Sequence, residues 1–281
     1  MIKILRPTTL IPAIAGFLLA ILLDVLVNTI AGLGGQVLTA VFILTLLFGL
    51  LALWFSARPQ PTRVKIEPVP LDTPANRLIH ARRGLIAFVS LYQPKDQNQQ
   101  AKPGAVVPAR VAAAQKGDYE ALDLENSNLA TIIATIAAHA HRLEHCWLIA
   151  TTTGSPDTSS LTYLPPLIAY LKKKHGLKIQ FHTGTNYVIR IDRDDALITN
   201  QTRSLVNRIY EEAHALKLAE QDVVADFSGG YRSMTLGMIL ACLNKGRDIQ
   251  FAGTRYDANA RPTGDIFPIL FNFEAELEQK G

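Results

Sequence analysis

Cysteine is almost missing from this chain, and the two that occur, Cys146 and Cys242, are too few for a disulfide framework or a structural zinc site. Charge is also scarce. Only 19% of the 281 residues are Asp, Glu, Lys or Arg, below the roughly 25% of ordinary soluble domains. The formal net charge of +4 gives general nucleic-acid binding no support, and no contact with a DNA or RNA duplex is expected. Aromatic residues make up 7%. No HExxH, GxSxG or Walker A motif occurs, so metalloprotease, serine-hydrolase and P-loop chemistries find no footing. The mean hydropathy of +0.15 excludes a disordered chain.

The apolar content is concentrated at the amino terminus. From Pro7 to Ala57 the only ionisable side chain is Asp24. Leu10 to Ile30 and Val37 to Phe55 are two apolar runs joined by Ala31-Gly32-Leu33-Gly34-Gly35-Gln36. Runs of about 20 helical residues span roughly 30 Å, the thickness of bilayer hydrocarbon. A short uncharged connection joins antiparallel neighbours, so residues 10–56 read as a two-helix transmembrane hairpin after a cytoplasmic stretch over 1–9. Lys3 and Arg6 before it, with Arg58, Arg63 and Lys65 after it, put both termini in the cytoplasm of a two-pass inner (plasma) membrane protein. Gly16, Ala20, Asp24 and Asn28 recur every four residues, on one face of the first helix. That face either packs helices together or lines a polar path in an oligomer.

Residues 57–74 hold five of the fifteen prolines, which predicts an extended linker over 57–80. From 81 to 281 short apolar runs alternate with helical periods. Strands are expected at Gly84–Tyr92, Cys146–Thr153, Leu177–Thr183, Asp222–Phe227, Asp248–Thr254 and Ile266–Phe273. Helices are expected at Leu124–His145, Ser159–His175 (interrupted by Pro165-Pro166), Thr199–Lys217 and Ser233–Asn244. The pattern predicts an α/β fold, a Rossmann-like and mostly parallel sheet whose ligand lies beyond the strands' carboxyl ends. Residues 93–123 read as a polar loop over that edge. Cys146 and Cys242 read as core residues, and His139, His141 and His145 as an exposed polar face without a metal set. Asp192-Arg193-Asp194-Asp195 reads as a loop and a helix N-cap.

The most informative stretch is Asp226-Phe227-Ser228-Gly229-Gly230-Tyr231-Arg232-Ser233-Met234. A strand ends, two glycines turn the backbone, a cation follows and a helix begins. Glycine allows close backbone approach, a helix N-terminus attracts anions, and guanidinium pairs with phosphate. The stretch resembles the D-x-[ST]-GG-[TY]-[KR]-x-M signature of CARF domains, the CRISPR-associated Rossmann-fold sensors of cyclic oligoadenylates. With the hairpin attached, the chain resembles the membrane-linked CARF effectors of type III CRISPR antiviral defence.

That resemblance implies a homodimer, or a higher homo-oligomer, binding one cyclic oligoadenylate, most often cyclic tetra-adenylate, with no further cofactor. It implies ligand contacts at Ser228, Gly229, Gly230, Tyr231, Arg232 and Ser233, and a second ligand loop after the first strand, at Ser90 and Tyr92. Thr152, Thr153 and Ser155 add hydroxyl donors at the same edge, with Gly154 among them, and Tyr92 or Tyr231 is placed to stack on adenine. The output would be the helices in the membrane lipids, depolarising or permeabilising the cell. Two alternatives stay open, a tethered ring nuclease cleaving the messenger and an anchored scaffold recruiting a partner.

Overall fold

The computed structural model describes residues 44–49, 63–94 and 109–276, apart from 115, 155–158, 177, 192 and 244. The chain divides into two units, Met1–Pro61 and Thr62–Gly281, and the second carries everything that follows. Among the described residues no helix is long and apolar enough to cross a membrane. The spans expected over 10–56, with Gly16, Ala20, Asp24 and Asn28, lie outside the described residues except for 44–49, which are helical.

Eight strands form the sheet: β1 (Arg63–Pro70), β2 (Gly84–Phe88), β3 (His145–Thr152), β4 (Gln180–His182), β5 (Val188–Arg190), β6 (Val223–Asp226), β7 (Ile249–Tyr256) and β8 (Pro262–Glu276). The helices are α1 (Pro74–His80), α2 (Ala130–His139), α3 (Leu164–His175), α4 (Asp195–Ala215) and α5 (Arg232–Leu243). The strand order is β1-β8-β7-β6-β2-β3-β4, with β5 paired to β3. From β7 across to β4 and β5 every pairing is parallel. A mixed, mostly parallel α/β sheet is therefore present, as the sequence pattern predicts.

The strands are apolar throughout because helices cover both faces. Leu85 and Ala87 of β2 join Cys146 and Leu148 of β3 under α2 and α3. Ile86 and Phe88 join Trp147 and Ile149 under α4 and α5. Side chains alternate across the sheet at period two, so every residue of Gly84–Phe88 is buried.

The far side departs from expectation. β8 runs antiparallel between β7 and β1. Only Asp257 to Arg261 separate β7 from β8, too few for a crossover helix, and a hairpin results. Asp257 closes it, accepting from Asn259 N at 2.9 Å and Arg261 N at 2.8 Å. Residues 63–80, expected as proline-rich linker, belong to the folded domain. Pro68 and Pro70 lie in β1, a sheet-edge strand where the missing N–H groups cost no ladder bond. Pro74 opens α1 behind the N-cap Thr73, whose side chain accepts from Asn76 N at 3.2 Å.

Two helices are also re-drawn. Over 124–145 only Ala130–His139 is α-helical, preceded by 3-10 turns at Tyr119–Leu122 and Leu124–Asn126. Pro165-Pro166 start α3 rather than interrupt it. The described part of 93–123 is not a bare loop, since 109–114 are helical and Val111, Ala114 and Leu122 are core residues.

Candidate functional site

The carboxyl ends of β2 and β6 meet at the double-glycine bend. β6 stops at Asp226, whose carboxylate is 3% exposed. Its Oδ1 accepts from Ser228 N at 2.8 Å, and its Oδ2 from Thr135 Oγ1 at 3.1 Å and Gln250 Nε2 at 3.0 Å. Burial raises the carboxyl pKa, and the hydrogen bonds from Ser228, Gln250 and Thr135 oppose the rise. Ser228 is stitched to β7, its Oγ accepting from Ala252 N at 2.6 Å.

Neighbouring atoms press closely on both glycines. A Cβ on Gly229 would sit 3.2 Å from the Phe88 carbonyl and 3.3 Å from Ser90 Oγ. Gly230 has φ +85°, and a Cβ there would come within 3.1 Å of the Phe88 ring. Only glycine satisfies that conformation and that proximity together. Ser90 and Gly229, expected on two separate ligand loops, are thereby in contact.

Beyond the bend, Tyr231 is 46% exposed and Arg232, the first residue of α5, is exposed as well. Among the described residues the Arg232 side chain makes no hydrogen bond and no ion pair. Ser233 is buried, and its Oγ has no hydrogen-bond partner among the described residues. Its carbonyl accepts from Thr199 Oγ1 at 3.1 Å, tying α5 to α4. Beside this junction an open depression of about 460 Å³ is lined by Asp195, Thr199, Asn200, Arg232, Ser233 and Leu236. Asp194 caps α4 as expected, accepting from Ala196 N at 2.9 Å and Leu197 N at 3.1 Å.

The third expected loop lies farther along the same edge. Thr152 Oγ1 accepts from Gly154 N at 3.1 Å, and Gly154 takes φ +95°. Thr153 and Gly154 are exposed, and Ser155 lies outside the described residues. β2 separates β3 from β6, so these groups face the bend across one strand.

Two expectations are corrected. Tyr92 is 4% exposed; its hydroxyl donates to the Leu122 carbonyl, its ring lies 6.0 Å from that of Tyr163, and burial raises its pKa. It is a core residue and has no face to offer an adenine. The histidines are not one exposed face either. His139 is wholly buried, and half-buried His145 shares a hydrogen bond with His182 at 3.1 Å. Both cysteines are buried, with the Cys242 thiol pushed up to about 12 by desolvation. Among the described residues no three His, Cys, Asp or Glu side chains gather as a metal-ligating group.

Comparison with protein-family models and with curated proteins finds no match. Among solved structures, Can2 from Sulfobacillus thermosulfidooxidans in complex with cyclic tetra-adenylate is similar to this chain at 10% identity and a TM-score of 0.31. The match covers 68% of this chain and 37% of Can2, so it spans little more than a third of that protein.

Proposed function

We propose that the domain is a receptor for a cyclic oligoadenylate, cyclic tetra-adenylate in the first instance, acting as a homodimer in type III CRISPR antiviral defence. The observation that carries this reading is the bend at Gly229-Gly230. It is held against Ser90 at the carboxyl edge of the sheet, with an unpaired, exposed Arg232 at the head of a 12-residue helix. Backbone N–H groups at a helix start favour a phosphate, the missing Cβ atoms let it approach, and guanidinium grips two of its oxygens. Exposed Tyr231 offers the aromatic face that Tyr92 cannot. A ring with repeated phosphates suits a two-fold pair of such bends, because each subunit presents the same surface.

The two apolar runs supply the output in this reading. Ligand binding changes the dimer, and the hairpin in the inner membrane depolarises or permeabilises the cell.

Direct binding of labelled cyclic tetra-adenylate tests the receptor. Loss of a charge-assisted contact of roughly 1.5–3 kcal/mol in each subunit predicts that Arg232→Ala binds more weakly than the parent protein by at least about 10-fold. Arg232→Lys should recover part of the loss, keeping charge without the bidentate fork. Equal affinity of Arg232→Ala and parent overturns the assignment.

A further inference from the structure

A chain of hydrogen-bonded polar groups crosses the otherwise apolar interior and starts at the bend itself. The Ser228 amide donates to Asp226, and the Gln250 amide donates to the same carboxylate. Gln250 Oε1 pairs with His139 Nε2 at 2.9 Å, and His139 Nδ1 accepts from the backbone N–H of Arg82 at 2.9 Å. The Arg82 guanidinium then reaches Asp248 Oδ2 at 2.7 Å and Asn272 Oδ1 at 3.0 Å. Asn272 lies in β8 opposite Glu67 of β1, the strand through which the preceding residues join the domain. Gln250 and His139 are fully buried, and Thr135, which also donates to Asp226, is 1% exposed.

The chain has a fixed sense. A backbone N–H can only donate, so His139 Nδ1 is the acceptor and its proton sits on Nε2. His139 therefore donates to Gln250 Oε1, which turns the Gln250 amide nitrogen toward Asp226. Asp226 accepts from all three donors, and among the described residues no cation pairs with it. Moving the bend withdraws one of those three donors, the Ser228 amide. An under-satisfied buried carboxylate is costly, so the remaining members must shift to compensate.

We infer that Gln250 and His139 are positioning residues that hold the ligand bend and transmit its displacement to the β8–β1 ladder. The inference rests on the reading that a ligand binds at the bend, but its test does not depend on a ligand. Hydrogen exchange is measured on the full-length protein in lipid nanodiscs. In the ligand-free protein, Asn272→Leu perturbs the far end and should speed exchange of the 227–231 amides by about fivefold. In a Gln250→Met background the same substitution should have no such effect, while Asp72→Ala, which breaks an ion pair to Arg255 of β7 outside the chain, should leave the bend unchanged. If Gln250→Met does not fold, His139→Gln takes its place. Unchanged exchange at 227–231 in Asn272→Leu, or an effect that survives Gln250→Met, overturns the inference. A second arm adds cyclic tetra-adenylate. Exchange in 269–276 should respond in the parent protein and lose that response in Gln250→Met, each compared at a ligand concentration that saturates it; a response that persists overturns the inference. Failure of the parent protein to bind removes the proposed ligand, and the ligand-free arm still decides the coupling.

Discussion

His139 shows how one residue's surroundings set a pH response. Full burial pushes its imidazole from 6.5 down to about 4, and the nearby Arg82 charge works in the same direction. A folded pKa below the unfolded one means that the unfolded chain binds a proton which the folded chain refuses. The stabilisation is complete above pH 6.5 and is lost as pH falls toward about 4. Its full extent is roughly 3 kcal/mol. Asp226, with a raised carboxyl pKa, has the opposite sign and gains stability as acid protonates it. Urea midpoints for parent and His139→Gln, compared at neutral pH and in mild acid, isolate the histidine. The parent should lose stability more steeply, and parallel pH profiles would show that His139 stays accessible to protons. None of this was legible in the sequence. Thr135 and His139 stand four apart on an apolar helix and so share a face, but their partners Asp226, Gln250 and Arg82 come from distant strands and loops. Tyr92 misled for a related reason. The residue that buries it, Leu122, sits in a segment whose polarity reads as a surface loop.

Between elements, α5 approaches α4 closely at Gly237. A Cβ on Gly237 would lie 2.5 Å from the Thr199 carbonyl and 2.7 Å from Thr202 Cβ. Alanine normally favours a helix over glycine by about 1 kcal/mol. Here it would push two packed backbones apart, at a cost of about 1–3 kcal/mol. Gly237→Ala is therefore expected to lower the unfolding free energy in urea by up to about 2 kcal/mol, the overpacking offsetting or outweighing the gain in propensity. It should also weaken ligand binding, because α5 carries Arg232 at its start. A more stable Gly237→Ala protein would mean that the helices separate freely. The elements most readable from sequence were the central parallel strands, since burial on both faces leaves an unbroken apolar run such as Gly84–Phe88. β1 was hidden by its prolines, which a sheet edge tolerates, and β5 by its three-residue length. The bend was legible because its glycines and Arg232 are local chemistry. That both glycines are shaped by Phe88 and Ser90 was not, because that contact joins residues far apart in sequence.

At the scale of the molecule, the question is whether binding at one edge of the sheet can drive anything at the other. β8 is 15 residues long and runs past the parallel strands it borders, pairing with β1 down to Arg63. The ladder thus links the level of the bend, where Gln250 lies opposite Leu270, to the point where the N-terminal residues enter the domain. A ligand shifts such an arrangement only by its differential affinity, and moving a population from 1:99 to 99:1 takes about 5.5 kcal/mol. In the proposed receptor several phosphates held by two bends would be a sufficient source, whereas two bends without their guanidinium groups would not. Protein reconstituted in liposomes should therefore release ions when cyclic tetra-adenylate is added, and Arg232→Ala should release none at the same concentration. Asp24→Ala separates the two roles left open for the first apolar run. Reduced flux is expected if the carboxylate lines a polar path, and unchanged flux assigns it to helix packing. Ligand that binds the parent protein without any flux would leave the receptor standing and remove the membrane as its output.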